Sequence, residues 1–125
     1  MSQDNSIDTI EVRKDYYRSG DLWRETPYKN GKMHGIAKWY YESGALQTET
    51  PYVNGKLYGI RKEYYRSGAI YCETPYKNGI KHGVEKYYDA DKVNIVCLTL
   101  YNDGEKVTSV EFGTKGGQSW LKIIP

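Results

Sequence analysis

Short runs in which apolar and polar residues alternate recur along this chain at a spacing of 24 residues. The sequence reads YYRSGDLWRETPYKNGKMHG at 16–35, YYESGALQTETPYVNGKLYG at 40–59 and YYRSGAIYCETPYKNGIKHG at 64–83. The runs on either side of each Ser-Gly pair are rich in aromatic and β-branched residues and too short for stable helices. A fixed period of this length predicts an array of identical supersecondary units, each built from β-strands.

Two turns divide each unit. Gly44 closes a three-residue loop between two runs, which suits a type I turn followed by a left-handed residue. Asn54 and Gly55 follow the second run, and both residue types accept the positive φ of a tight hairpin. One unit is therefore one β-hairpin plus the turn into the next. Chaining the units predicts an all-β, elongated antiparallel meander of roughly ten strands.

The loop length sets which residues face each other. A three-residue loop places Tyr40 opposite Leu46 and Lys38 opposite Thr48, whereas a two-residue loop would pair Lys38 with Glu49. We favour the first register because it sorts the nearly invariant columns of the repeat onto one face and the varying columns onto the other. The invariant columns are then explained by packing between units. In the second unit that face carries Ile36, Lys38, Tyr40, Leu46, Thr50 and Tyr52.

The repeat also divides the chain. Residues 1–10 are predicted to be a flexible N-terminal arm, and residues 113–125 a capping strand, because terminal units of an array are usually atypical. The repeat domain spans 11–112, with units at about 12–35, 36–59, 60–83 and 84–107. The tail from Val107 reads as two more strands that finish the sheet. Fourteen tyrosines in a chain poor in Leu, Ile, Val and Phe predict a buried layer built from tyrosine.

The charge balance and the N-terminal sequence argue against several classes of protein. Eighteen basic residues against sixteen acidic ones leave a net charge of +2, too even for a nucleic-acid partner. The N-terminus lacks a basic region followed by an apolar core, and no apolar run is long enough to span a membrane. We therefore expect a cytoplasmic protein. Cys72 and Cys97 should be reduced, and two strand spacings, about 9–10 Å, would keep them from forming a disulfide.

The titratable residues do not assemble into a catalytic pattern. His34 and His82 occupy equivalent turns about four strands, or roughly 19 Å, apart, too far to share a metal. Lys14, Lys38, Lys62 and Lys86 form a ladder on one face, and Glu25, Glu49 and Glu73 form another. We interpret these ladders as solvated surface rather than as a track for anionic lipid or phosphate. The sequence predicts no enzyme, no cofactor and no metal site.

The repeated motif Y-Y-x-S-G-x-L-x-x-E-x-P-Y-x-N-G-K-x-H-G resembles the MORN repeat, in the bacterial variant of YwqK-like antitoxin proteins. The resemblance covers residues 12–88 well and 89–112 weakly, with Tyr58 in place of the second histidine. It implies a twisted, open sheet of hairpins that binds other molecules. In that bacterial group it further implies an antitoxin or immunity protein that neutralises a protein toxin.

Residues that differ between units are free to specify a partner. Three columns vary, and all three fall on the second face in the favoured register; aromatic and arginine side chains there are typical of interface hot spots. The alternative is that the sheet curls and buries Trp23 and Trp39 inside. The predicted protein-binding residues are Trp23, Trp39, Tyr71, Arg61, Glu63, Tyr87 and Arg24.

The function predicted from these residues is a non-enzymatic module that neutralises a protein target by occluding it, as an antitoxin-like or immunity-like inhibitor does. A phage or mobile-element inhibitor of a bacterial defence enzyme would carry the same sequence features. A membrane-surface or scaffold module is the other alternative. The open edges of the sheet also leave room for homo-oligomers formed by strand pairing.

Overall fold

The computed structural model describes residues 9–90 and 94–125, and these fold into one antiparallel β-sheet. Its strands are β1 (Ile10–Tyr16), β2 (Leu22–Lys29), β3 (Lys32–Met33), β4 (Gly35–Tyr40), β5 (Leu46–Val53), β6 (Lys56–Leu57), β7 (Gly59–Tyr64), β8 (Ile70–Lys77), β9 (Ile80–Lys81), β10 (Gly83–Tyr88), β11 (Ile95–Asn102), β12 (Glu105–Lys115) and β13 (Gln118–Ile124).

Ten of these strands follow one another across the sheet in chain order, β1-β2-β4-β5-β7-β8-β10-β11-β12-β13. The three two-residue strands β3, β6 and β9 pair back onto the strand before them. The predicted all-β meander is therefore confirmed, including two strands in the tail, the first of which begins at Glu105 rather than at Val107. Ile10 belongs to β1 and pairs with Lys29, so the predicted arm is at least one residue too long. The rest of the arm, apart from Thr9, lies outside the described residues, as do 91–93.

Both turn types form as their sequences predict. In the Ser-Gly loop, Gly44 has a φ of 93°. Its N–H donates to the Tyr41 carbonyl at 2.9 Å, and the Tyr41 N–H donates to the Ala45 carbonyl at 2.8 Å. In the second turn Asn54 and Gly55 have φ values of 49° and 85°, the pair of positive angles that matches the twist of a hairpin.

A β-bulge inside each hairpin changes the predicted register. Tyr40 pairs with Leu46 as expected, but Trp39 then pairs with Thr48 and Lys38 with Glu49, so Gln47 is an extra residue. The prediction that Lys38 faces Thr48 is therefore wrong, because the inserted residue shifts the rest of the strand by one position. The hairpins β1–β2, β7–β8 and β10–β11 carry the same extra residue, at Trp23, Tyr71 and Val96.

The bulge redistributes side chains between the two faces. We call the side that carries Ala37, Trp39, Thr48 and Thr50 the variable face, and the side that carries Ile36, Lys38, Tyr40, Leu46, Glu49 and Pro51 the constant face. Thr50 and Tyr52 were predicted on the constant face and lie on the variable one. The three varying columns do share one face, as predicted.

The most buried side chains all lie on the variable face. They are Ala37 and Cys72 together with a row of hydroxyl and carboxyl groups at Thr26, Thr48, Thr50, Thr74, Glu85, Thr99 and Ser109. Threonine is therefore the commonest residue of the buried layer, and the tyrosine layer predicted from the sequence is wrong. Cys72 and Cys97 are free thiols, and Tyr87 pairs with both, so one strand separates them.

The invariant aliphatic column is exposed, which contradicts the expectation that packing explains it. Val12, Ile36, Ile60 and Val84 lie on the constant face with between 41% and 54% of their surface accessible. The described residues form no second layer that covers them. Val12, Ile36 and Ile60 pair with prolines, and Val84 pairs with Leu100.

Neighbouring units are joined by tyrosine hydroxyls. Each second Tyr of the Tyr-Tyr pair donates its O–H to the backbone carbonyl of the first Tyr in the next unit. The three bonds are Tyr17 to Tyr40 at 2.6 Å, Tyr41 to Tyr64 at 2.7 Å and Tyr65 to Tyr88 at 2.9 Å. We call these the inter-unit tyrosine bonds.

The turn histidines link hairpins as well. His34 Nδ1 accepts the N–H of Asn54, and His82 Nδ1 accepts the N–H of Asp103, both at 3.3 Å. Each bond joins one Asn-Gly-type turn to the corresponding turn of the next unit. The structural role predicted for these histidines is confirmed.

Candidate functional site

The bulges build the variable face. An extra residue leaves two side chains of one strand opposite a single residue of its neighbour, so more side chains crowd onto that side. Gln47 and Thr48 both oppose Trp39 and both line the same groove. The bulge column is also one of the varying columns, with Trp23, Gln47, Tyr71 and Val96 in its four positions. The position least constrained by pairing therefore holds a different side chain in each of the four units.

A groove of about 710 Å³ crosses β4, β5, β7 and β8 on this face. Its floor includes the buried hydroxyls of Thr48 and Thr50. Its walls are aromatic and are formed by Trp39, Tyr41, Tyr52, Tyr71 and Tyr76. A concave site with aromatic walls and a few convergent polar groups is the usual form of a binding pocket.

One ion pair lies in the groove. The guanidinium of Arg61 lies 3.1 Å from the carboxylate of Glu63, and about a third of each side chain is exposed. The two charges cancel, so the groove presents hydrogen-bonding groups without a net charge. Such a pair gives little stability to the fold because water screens it, which leaves both side chains free to rearrange around a ligand.

Four of the seven predicted binding residues meet in this groove: Trp39, Arg61, Glu63 and Tyr71. Tyr87 lies beside it, with its ring edge-on to Tyr71 at 5.6 Å between centroids. Burial, with Cys72 and Glu85 nearby, raises the pKa of Tyr87, so this phenol stays neutral.

Trp23 and Arg24 form a second cluster that borders the groove. The Arg24 guanidinium lies 4.7 Å above the Trp23 ring and 2.8 Å from the Asp15 carboxylate. Arg24 pairs directly with Trp39 across β2 and β4, so the cluster is one strand away from the groove. Trp23 is 36% exposed and Trp39 is half-buried, so neither ring is enclosed by a curled sheet.

Three wall residues were absent from the sequence prediction. Tyr52 was assigned to the wrong face because the bulge was not foreseen. Tyr41 and Tyr76 belong to columns that keep tyrosine in most units, and a search for variation passes over such columns. All three are tyrosines, and because tyrosine is enriched at interface hot spots, the residue type was the signal that could have identified them.

The fourth unit contains a buried carboxylate. Glu85 accepts a hydrogen bond from Thr74 Oγ1 at 2.7 Å and one from Lys81 Nζ at 3.2 Å. The Cys72 thiol lies 3.4 Å from the same threonine hydroxyl. Burial is the main cause that raises the pKa of the Cys72 thiol, so it remains protonated and weakly reactive.

The described residues hold no group of three or more His, Cys, Asp or Glu side chains placed to bind a metal ion. Within those same ranges, no helix is long and apolar enough to cross a membrane. What the face offers chemically is aromatic area, hydroxyl and amide hydrogen bonding, and a neutralised ion pair.

The fold and this face define a class of protein: a β-hairpin repeat array that presents a binding surface on one side. The chain belongs to the MORN repeat variant family, which matches residues 12–30, 33–54 and 57–78, together half of the chain. MORN repeats are generally modules that bind proteins or membranes. No curated protein matches the chain. The fourth unit, from residue 84, lies beyond the matched repeats.

Proposed function

We propose that this protein is a non-enzymatic, cytoplasmic binding module that neutralises a protein target by occluding it with its variable face. The observation that carries the proposal is the groove on that face, where unit-specific side chains from four strands meet. Trp39, Arg61 and Tyr71 are the side-chain types most often found at hot spots, and they converge here.

The size of the face supports a macromolecular partner. From Trp23 on β2 to Tyr87 on β10 the predicted residues span five strand spacings, or about 24 Å. That width exceeds what a small ligand needs and suits the centre of a protein interface. The neutral Arg61–Glu63 pair supports a partner that is not strongly charged.

A protein toxin is the target that we favour, because the repeat motif resembles that of YwqK-like antitoxins. Steric blocking by a sheet face needs no catalytic group. A phage or mobile-element protein that inhibits a bacterial defence enzyme would use the same surface in the same way.

The proposal is tested by affinity capture from native lysate, followed by direct titration of the captured protein against the purified chain. Trp39→Ala and Tyr71→Ala are the test variants. Tyr58→Ala is the matched control, because this tyrosine is exposed and lies outside the groove. We expect each test variant to weaken binding by about 2 kcal/mol, or roughly thirty-fold, and the control to bind normally.

The captured protein must also lose its activity when the chain is added, in proportion to the complex formed. Loss of activity with wild type but not with Trp39→Ala would support occlusion through the variable face. Normal binding by Trp39→Ala in a variant that melts much earlier would show that this ring is structural and would overturn the assignment. If the chain floats with anionic liposomes and added salt abolishes this flotation, the result favours the membrane alternative.

A further inference from the structure

The constant face repeats the same side chains in each unit and leaves its aliphatic residues exposed, while its prolines and glutamates are half-buried. Its first row alternates aliphatic and proline residues over seven strands and has leucine in place of proline on the eighth; we call it the aliphatic–proline row. It runs Val12, Pro27, Ile36, Pro51, Ile60, Pro75, Val84 and Leu100 across the sheet. A row of exposed aliphatic side chains that crosses a whole sheet marks an interaction surface.

The second row alternates in charge. It runs Lys14, Glu25, Lys38, Glu49, Lys62, Glu73 and Lys86 across consecutive strands, and we call it the charge row. The glutamates accept hydrogen bonds from tyrosine hydroxyls, as Glu25 does from Tyr40 at 2.9 Å. None of the four lysines forms an ion pair with a carboxylate in the described ranges 9–90 and 94–125.

We propose that the constant faces of two copies of this chain pack against each other about a twofold axis that runs parallel to the strands between β5 and β7. A row of strictly alternating charges is complementary to itself when it is reversed and shifted by one strand. This axis produces that shift. It places Glu49 opposite Lys62 of the second copy, Lys38 opposite its Glu73, and Glu25 opposite its Lys86.

The same operation fits the aliphatic–proline row. Pro51 meets Ile60 of the second copy, Ile36 meets its Pro75, and Val12 meets its Leu100. Flat proline rings therefore lie against branched side chains, and hollows exist to receive them: one lies between Ile36, Pro51 and Ile60, and another between Ile60, Pro75 and Val84.

Charge also excludes the neighbouring arrangements. An axis that passes through Glu49, with no shift, would set each lysine over a lysine and each glutamate over a glutamate, which is destabilising at close range. Because the twofold operation applies to both copies, every favourable contact occurs twice.

The available area is sufficient for a dimer. Eight strands at about 4.8 Å give a width of about 38 Å, and three rows of side chains along the strands cover about 20 Å. The third row is the one that holds Tyr40 and Leu46. The footprint is then about 800 Å² in each copy, close to that of a standard interface. Two sheets with the same twist stack about 10 Å apart, so the long lysine and glutamate side chains meet between them.

The test is sedimentation equilibrium of the full chain over a concentration series. Wild type is compared with Lys62→Glu, which turns two symmetric attractions into repulsions. Arg18→Glu is the matched control, since it changes the net charge equally and is an exposed loop residue off both rows. We expect wild type to dimerise, Lys62→Glu to raise the dissociation constant at least tenfold, and Arg18→Glu to leave it unchanged.

A second measurement uses wild type alone and so does not depend on a variant that folds. A mixture of ¹⁴N- and ¹⁵N-labelled chains is treated with a carbodiimide, which joins amines to carboxylates in direct contact. We expect mixed-isotope cross-links between Lys62 and Glu49 and between Lys86 and Glu25. A chain that stays monomeric throughout the series would overturn the proposal. Equal weakening by Lys62→Glu and Arg18→Glu would overturn it too, as would mixed-isotope cross-links confined to the edge strands β1 and β13.

Discussion

The substitution Tyr41→Phe tests whether the inter-unit tyrosine bonds hold the repeat array together. Replacing it with phenylalanine removes one hydroxyl and keeps the ring. The hydroxyl is part-buried and donates to the Tyr64 carbonyl at 2.7 Å. The ring stays in place, including its contact with the Arg66 guanidinium 5.1 Å from the ring centroid. Any loss of stability therefore reports the bond between two units rather than the packing within one.

The expected cost follows from what the hydroxyl does. A hydrogen bond of this kind contributes about 1 kcal/mol net, and about 2 kcal/mol where the acceptor finds no water in its place. For a chain of this length, 1 kcal/mol corresponds to a shift of about 4 °C in Tm. The three bonds lie two strands, or about 10 Å, apart, so their costs should add. The triple variant Tyr17→Phe/Tyr41→Phe/Tyr65→Phe should then lose about 3 kcal/mol.

Urea unfolding followed by circular dichroism measures these differences. Tyr58→Phe is the matched control, since it removes a hydroxyl from an exposed turn tyrosine. We expect Tyr41→Phe to lower the midpoint without changing the slope, because the surface exposed on unfolding is the same. If Tyr41→Phe is no less stable than Tyr58→Phe, the inter-unit tyrosine bonds do not hold the array together and the reasoning fails.

Three further outcomes are expected. Burial and the hydrogen bond to Glu49 raise the pKa of Tyr64 to about 12. The pKa of tyrosine in the unfolded chain is about 10. The contribution of this phenol to the free energy of unfolding is therefore complete below pH ~10 and is lost as the pH rises towards ~12. Urea midpoints measured through that range should fall, and a constant midpoint would contradict this. Cys97 should react with a thiol reagent before the buried Cys72, and equal native rates would show that Cys72 is accessible. Gly55→Ala should lower the free energy of unfolding by about 1 kcal/mol, because an alanine is strained at the φ of 85° that this position has. The added Cβ meets no other atom, so the backbone angle is the only source of the cost. An unchanged urea midpoint would contradict this prediction.

The turns of this fold were predictable because their chemistry is local. Asn54 and Gly55 accept positive φ wherever they occur, and a Gly at position 44 closes a short loop for the same reason. With the 24-residue period these signals are sufficient for a meander of hairpins. The two-residue strands β3, β6 and β9 were missed because they depend on pairing back across the turn, which has no distinct residue signature.

The bulge was the decisive omission. Most residue types tolerate the extra position of a β-bulge, so Gln47 carries no mark that separates it from an ordinary strand residue. Its presence moved Thr50 and Tyr52 to the variable face. The groove residues Trp39, Arg61 and Tyr71 were nevertheless identified, because variation between units does not depend on the register. The wall residues Tyr41 and Tyr76 were missed because their columns vary little between units.

The inter-unit tyrosine bonds give the array a direction and an end. Each donor needs a carbonyl in the following unit, and in the fourth unit Asp89 stands where the first three have tyrosine. A duplicated copy of an internal unit would bring its own hydroxyl and find a carbonyl on the next, lengthening the sheet by two strands, or about 10 Å. Such a protein can grow during evolution by whole units, gaining one more bulge residue each time. The series of inter-unit tyrosine bonds stops where tyrosine gives way to aspartate, and β11, β12 and β13 continue the sheet without them.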